Sequence, residues 1–271
     1  MSQSSGHWGG LHPSVHVDAA VDDVDALVDR FEIFEALHHQ QTICNPMTSD
    51  ELDQVIEALE FAPGSRLLDI ACGSGELMFR TAERVAVDAT GLDLSPWMLN
   101  AAASRHETRA LTVGAELSWV LCEAKTWAVD TPFDVVTCLG ADWIWHGTKG
   151  TIAAMVERLG DGGRLAIGSP RLHFDADPGT ASEQFGALDT AADIERMLKS
   201  QRLEILERVD PDDEGWDGYM ERCVANAQEW LKRYPGEFGE KYLAEAQEWA
   251  AVRERDREII GWSVWVARRR D

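Results

Sequence analysis

The sequence predicts an α/β fold, a doubly wound and mostly parallel sheet, and three observations predict it. Apolar runs of strand length recur at 66–71, 88–93, 117–122, 133–139 and 163–168, with helical spacing between most of them. The first run, Leu67-Leu68-Asp69-Ile70, ends in Ala71-Cys72-Gly73-Ser74-Gly75. A backbone with so little side chain can pass close to a bound ligand, and glycine tolerates the turn that this approach needs. The second run ends in Asp93. A carboxylate about 20 residues beyond such a turn, on the tip of the second strand, suits the ribose hydroxyls of an adenosine-type ligand.

The elements follow in order. Residues 1–17, rich in Ser, Gly and His, are expected to be flexible. From Asp18 an apolar pattern at Val21, Val24, Leu27, Val28, Phe31, Phe34 and Leu37 has helical spacing. A second helix is expected from Thr48 or Ser49, as N-cap, to Phe61. These helices, 18–62, are expected to cover the site, and 63–271 to form the main domain. Pro63-Gly64-Ser65 turns the chain into the first strand, and Asp161-Gly162-Gly163 turns it into the fifth. Leu203–Leu206 reads as a sixth strand and Ile260–Val266 as a seventh. Between them an insertion, 209–258, contains two helices, Gly218–Arg233 and Glu237–Arg255, split at Pro235-Gly236.

Composition narrows the function. The 271 residues carry 25 basic and 48 acidic side chains, a net charge of −23. Affinity for phosphate chains comes from Lys and Arg, so nucleic acid is not the expected substrate. The one basic cluster is Arg268-Arg269-Arg270. Five cysteines are scattered without C-x-x-C spacing, which gives neither a zinc site nor a disulfide framework, and no metal is expected. Met1–Gly10 is polar rather than basic then apolar, and no apolar run approaches the roughly 20 residues of a membrane span. A cytoplasmic protein without membrane contact, monomeric or homodimeric, is the expectation.

Spacing discriminates between nucleoside ligands. The third glycine of a dinucleotide fingerprint is replaced by Met78, and no Lys-Ser/Thr follows as in a P-loop. The pattern Asp69-x-Ala71-x-Gly73-x-Gly75 resembles instead the first motif of class I S-adenosylmethionine-dependent methyltransferases, with alanine at 71 where that family usually has glycine. The resemblance implies a seven-stranded Rossmann-like sheet and S-adenosylmethionine as cofactor, with S-adenosylhomocysteine as product. It implies that Asp69, Ala71, Gly73 and Gly75 approach the amino acid end and that Asp93 and Leu94 take the ribose. Trp97 or Met98 would pack on the adenine, Glu123 beside Ala124 would accept from its amino group, and Leu139 ends the fourth strand at the cofactor. The family's last two strands form a close hairpin, so an insertion there is a candidate lid or dimerisation element, or an extension of the core.

The acceptor side is read from other segments. Gly140-Ala141-Asp142-Trp143-Ile144-Trp145-His146-Gly147 follows the fourth strand, where this family faces methyl and acceptor. It lacks the Asp/Asn-Pro-Pro-Tyr/Phe and Pro-Cys motifs of nucleic acid methylation. Asn45-Pro46-Met47-Thr48, Cys138–Ile144, Glu214–Tyr219 and Gly261–Val264-Trp265 resemble a poorly characterised bacterial branch of small-molecule methyltransferases. His146 is the candidate base should the acceptor lose a proton, with Asp142 beside it. His38 and His39 end the first long helix, and His38 is assigned to the acceptor side. Of the 11 tryptophans, Trp143, Trp145 and Trp216, with Tyr219, are expected to wall an acceptor pocket, which suits a flat heteroaromatic or cationic molecule. Trp230 and Trp249 fit helical stripes and are expected in the core. Two other functions fit the same motifs: methylation of a protein or peptide docked on the insertion, and S-adenosylmethionine binding without turnover.

Overall fold

The computed structural model describes residues 8–39, 41–128, 131–173 and 188–270. Its elements run β1 (Val15–Val17), α1 (Val24–His38), α2 (Ser49–Leu59), β2 (Arg66–Ile70), α3 (Glu76–Ala82), β3 (Asp88–Asp93), α4 (Pro96–His106) and β4 (Glu116–Leu121). They continue β5 (Phe133–Leu139), α5 (Thr148–Arg158), β6 (Leu159–Leu172), α6 (Ala191–Ser200), β7 (Leu203–Val209), α7 (Asp213–Arg233), α8 (Glu237–Asp256) and β8 (Ile260–Arg269).

The local sequence explains where the helices begin. Asp23 caps α1 through Ala26 N, so the helix starts later than the apolar pattern at Asp18 suggests. Thr48 and Glu51 form a reciprocal capping box on α2. Ser95 caps α4, with Pro96 in the first turn where its missing N–H costs nothing. Asp212 accepts from Gly215 N at 2.8 Å, which starts α7 at Asp213 rather than Gly218.

The strands form one sheet in the order β1-β4-β3-β2-β5-β6-β8-β7. Pairs among the first six in this order are parallel, and β8 runs antiparallel to both β6 and β7. The sheet therefore has eight strands where seven are expected. The extra one is β1, within the stretch expected to be flexible; Val15 is buried, and Val15–Val17 pairs with Trp119–Leu121 at the edge. Covering an open edge removes a row of unpaired backbone groups from water.

Helices pack on both faces. One core layer joins Leu52, Val55 and Leu59 of α2, Leu77 and Phe79 of α3, Leu99 of α4 and Trp230 of α7. The other joins Ile152 and Met155 of α5 to Ile194 and Leu198 of α6. The insertion between β7 and β8 is the pair α7–α8, and α7 packs on α1. From β2 the chain winds outward through β3 and β4, then returns to the other side of β2 at β5. That reversal opens a crevice at the carboxyl ends of β2 and β5. Among the described residues no helix is long and apolar enough to cross a membrane.

Candidate active site

The turn after β2 is held open by its own backbone. Ala71, Gly73 and Gly75 all have positive φ, at 57°, 54° and 78°. Left-handed backbone costs an L-residue about 1–2 kcal/mol, so alanine at 71 carries strain that glycine would avoid. Around the turn, Arg105 donates to Ser74 O at 2.6 Å, and Ser74 Oγ donates to Thr42 O at 3.1 Å. Arg105 and Arg80 also pair with buried Glu76. Burial alone would raise the Glu76 pKa, but these two guanidinium partners hold it below the ordinary value.

Two carboxylates stand at the strand ends. Asp69 on β2 lies beside Thr137 of β5, whose hydroxyl donates to it at 2.7 Å. Burial pushes its pKa up to about 7, and Asp93 adds to the rise. Asp93, at the end of β3, accepts from Gly73 N at 2.9 Å through one oxygen and from Ser95 N at 2.8 Å through the other. Burial raises its pKa as well, against those backbone donors. With Leu94 N–H a third backbone donor, the carboxylate still keeps a lone pair for a ligand hydroxyl.

These groups face a cavity of about 650 Å³. On the strand side it is lined by Asp69, Ala71, Gly73, Asp93, Leu94, Met98, Glu123, Ala124 and Leu139, together with Gly140, Trp143 and Ile144. The opposite wall comes from α1, where Leu27, Arg30, Phe31, Phe34 and His38 share one face, and from Tyr219 of α7 and Trp249 of α8. The segment Thr42–Asn45 crosses between the walls, and Asn45 Oδ1 is buried with no hydrogen-bond partner among the described residues.

Not every expected site residue arrives there. Gly75 does not line the cavity: a Cβ on it would stand 2.6 Å from the Trp119 ring, so packing is what requires glycine. Trp97 turns away, its indole donating to Val28 O at 3.0 Å beside Trp230. Asp142 accepts from Thr148 at 2.9 Å and from Ser169 at 2.8 Å, which ties it to the start of α5 and to β6. His146 is exposed, outside the lining, with left-handed φ of 63°. Trp145 lies under the Arg158 guanidinium and buried Trp216 under Arg253, so neither walls the pocket. Trp143 does, and is 61% exposed at the rim. His38 and Tyr219 are buried against the cavity and meet at 2.9 Å.

Several lining residues were not singled out for the site. Arg30, Phe31 and Phe34 lie on α1, a helix expected to cover the site but from which only His38 is assigned to it. Its apolar spacing merges two faces, one packed inward through Val28 and Leu37 and one facing the cavity. Trp249, expected in the core, is half-buried at the same wall. Among the described residues no group of three or more His, Cys, Asp or Glu side chains could hold a metal.

The residues present fit a nucleoside-bearing ligand. A Cβ on Gly73 would meet nothing within 4 Å, so the space above that backbone is open, and Asp93 stands beside it. Comparison with known proteins agrees. Residues 67–163 match the family model for a methyltransferase domain. The chain is 26% identical over 246 residues to the uncharacterised protein YjhP of Escherichia coli, covering 86% of this chain and 96% of that one. It is similar to the crystal structure of a SAM-dependent methyltransferase from Geobacter sulfurreducens in complex with S-adenosyl-L-homocysteine. There the TM-score is 0.79 and the identity 26%, over 88% of this chain and 98% of that one. A third likeness, 28% identical over 158 residues, is to aklanonic acid methyltransferase DauC of Streptomyces sp. (strain C5), covering 57% and 70% of the two chains.

Proposed function

The chain is an S-adenosylmethionine-dependent methyltransferase, and we propose that it methylates a small, flat acceptor held against the aromatic wall of the cavity. One observation carries this reading: the face of α1 bearing Phe31, Phe34 and His38, with Tyr219 and Trp249, lines the same open cleft as the glycine turn. Ring centroids step along it at 5.7, 6.0 and 5.8 Å from Phe31 through Phe34 and His38 to Tyr219. Such a wall favours planar or cationic molecules. The volume lies within the range of about 300–1,000 Å³ usual for small-molecule sites, and DauC is named for aklanonic acid.

When bound, S-adenosylmethionine supplies an electrophilic methyl carbon on sulfur. Asp93 would hold the ribose hydroxyls, Glu123 and Met98 the adenine end, and Asp69 with the turn backbone the amino acid end. The α1 wall and Trp143 would position the acceptor, so that alignment is the main contribution to rate. The acceptor's proton, where it has one, would leave to solvent. His146 and Asp142 lie away from the cavity and take no part.

The test is transfer of radiolabelled methyl from S-adenosylmethionine, by the full chain, to a panel of planar phenols, amines and acids and separately to cell-extract proteins. Label in small products supports the reading. Label only in protein overturns it in favour of peptide methylation, and donor binding without transfer to either overturns it in favour of a binding protein.

A further inference from the structure

The polarity of the acceptor wall is fixed by a chain of hydrogen bonds that begins in the backbone of α1. The Phe34 carbonyl can only accept, and it lies 3.0 Å from His38 Nδ1. That nitrogen therefore carries the imidazole proton, and Nε2 is left as an acceptor. Nε2 lies 2.9 Å from the Tyr219 hydroxyl, which donates to it. A phenol has one proton to give. Once it points at His38, the Tyr219 oxygen can only accept from the cavity.

The neighbours preserve this direction. His38 and Tyr219 are both buried and both line the cavity. Cys223 Sγ stands 4.0 Å from Nε2 and is also a hydrogen-bond partner of the Tyr219 hydroxyl. It already accepts from Gln41 Nε2 at 3.4 Å, however, and a thiol sulfur is a weaker acceptor than the imidazole nitrogen at 2.9 Å, which keeps the phenol proton. Burial pulls the His38 pKa down to about 4, against the Phe34 carbonyl. Burial also pushes the Tyr219 hydroxyl well above its ordinary value, with Cys223 and Cys44 adding to the rise and Arg222 opposing it. At neutral pH the imidazole is thus uncharged and the phenol protonated.

We infer that Tyr219 presents an acceptor-only oxygen to the pocket, and that the methyl acceptor carries a hydroxyl or N–H on the edge facing α7. The substrate class is a planar alcohol, phenol or amine. An ether, tertiary amine or ionised carboxylate would set lone pair against lone pair there. His38 acts through Tyr219 and is a positioning residue. This inference rests on the aromatic half of the cavity being the acceptor site.

The experiment compares phenol with anisole, which differ by that donor, for binding to the full-length protein saturated with S-adenosylhomocysteine, followed by ligand-observed NMR. Phenol is expected to bind about tenfold more tightly, the worth of one hydrogen bond at a desolvated site. In Tyr219→Phe the preference falls to within about twofold, with S-adenosylhomocysteine affinity measured alongside to show an intact fold. Equal binding by the wild-type protein, or a preference that survives in Tyr219→Phe, overturns the inference. If neither fragment binds, the aromatic acceptor site itself is refuted and the inference falls with it. Nitrogen-detected NMR of His38 at neutral pH is an independent reading: the Nδ1–H tautomer is expected, and the Nε2–H tautomer or an imidazolium overturns the assignment.

Discussion

Gly73 and Gly75 belong to one motif, yet replacing each by alanine should damage different properties. At Gly75 the φ of 78° penalises any L-residue, and the new Cβ would stand 2.6 Å from Trp119 Cη2 and 3.2 Å from Phe79. Left-handed backbone costs about 1–2 kcal/mol, and overpacking a filled core about 1–3 kcal/mol. A loss of about 2–5 kcal/mol corresponds to a Tm lower by about 4–10 °C for a chain of this size. At Gly73 the φ of 54° brings the same backbone penalty, but nothing lies within 4 Å of the added carbon. Its Tm should fall by only about 2–4 °C. The methyl group then projects over the turn where the donor must approach, so affinity for S-adenosylhomocysteine should fall at least about tenfold, by the cost of a steric misfit in a packed site. Thermal unfolding without ligand and calorimetric titration with S-adenosylhomocysteine measure the two effects. The reasoning is refuted if Gly73→Ala unfolds at the lower temperature of the two while binding S-adenosylhomocysteine as tightly as the wild-type protein.

Asp93→Asn should weaken S-adenosylhomocysteine binding about 10–100-fold by calorimetry, because the amide sets a donor against Gly73 N–H or Ser95 N–H and loses the charge that strengthens ribose hydrogen bonds. His38 makes stability depend on pH. Its native pKa of about 4 lies below the unfolded value of 6.5, so between these limits the unfolded chain binds the proton and acidification destabilises the native state, by about 3 kcal/mol once pH 4 is reached. Asp69, raised from 3.8 to about 7, acts with the opposite sign over nearly the same interval. Urea unfolding between pH 4.5 and 7.5 should therefore show a shallow profile for the wild-type protein and stabilisation on acidification for His38→Gln; parallel profiles would remove His38 from the account. Trp143→Ala should raise the acceptor's KM severalfold with little effect on that of the donor, whereas His146→Ala should leave both constants and kcat unchanged, because its imidazole is exposed outside the cavity. Steady-state kinetics with the acceptor found in the methyl-transfer panel separates these cases.

The sequence by itself determined the fold and the S-adenosylmethionine cofactor, and it picked out the strand-end residues proposed to hold that cofactor. Asp69, the small-residue turn and Asp93 are close along the chain or at the tips of adjacent strands, and the β2–β3 pairing that brings them together follows from the alternation of apolar runs. Local rules suffice there: strand length, left-handed turn residues, and an acid at a strand end. The same rules misplaced Trp97 and Gly75, because spacing shows that a residue is near the turn and not which way its side chain or its neighbours lie. Tertiary structure alone decided the wall proposed for the acceptor. The stripe at Phe31, Phe34 and His38 satisfies a helical period whether it meets a core or a cavity, and only the packing of α7 and α8 on α1 leaves that face open. His38 and Tyr219 lie far apart along the chain and meet at 2.9 Å because α7 packs on α1. His146 shows the converse: it sits in a segment rich in promising residues, but the turn before α5 carries it outward. Hydrogen-bond direction at the acceptor wall depends on which carbonyl an imidazole meets, and that contact exists only in the folded chain.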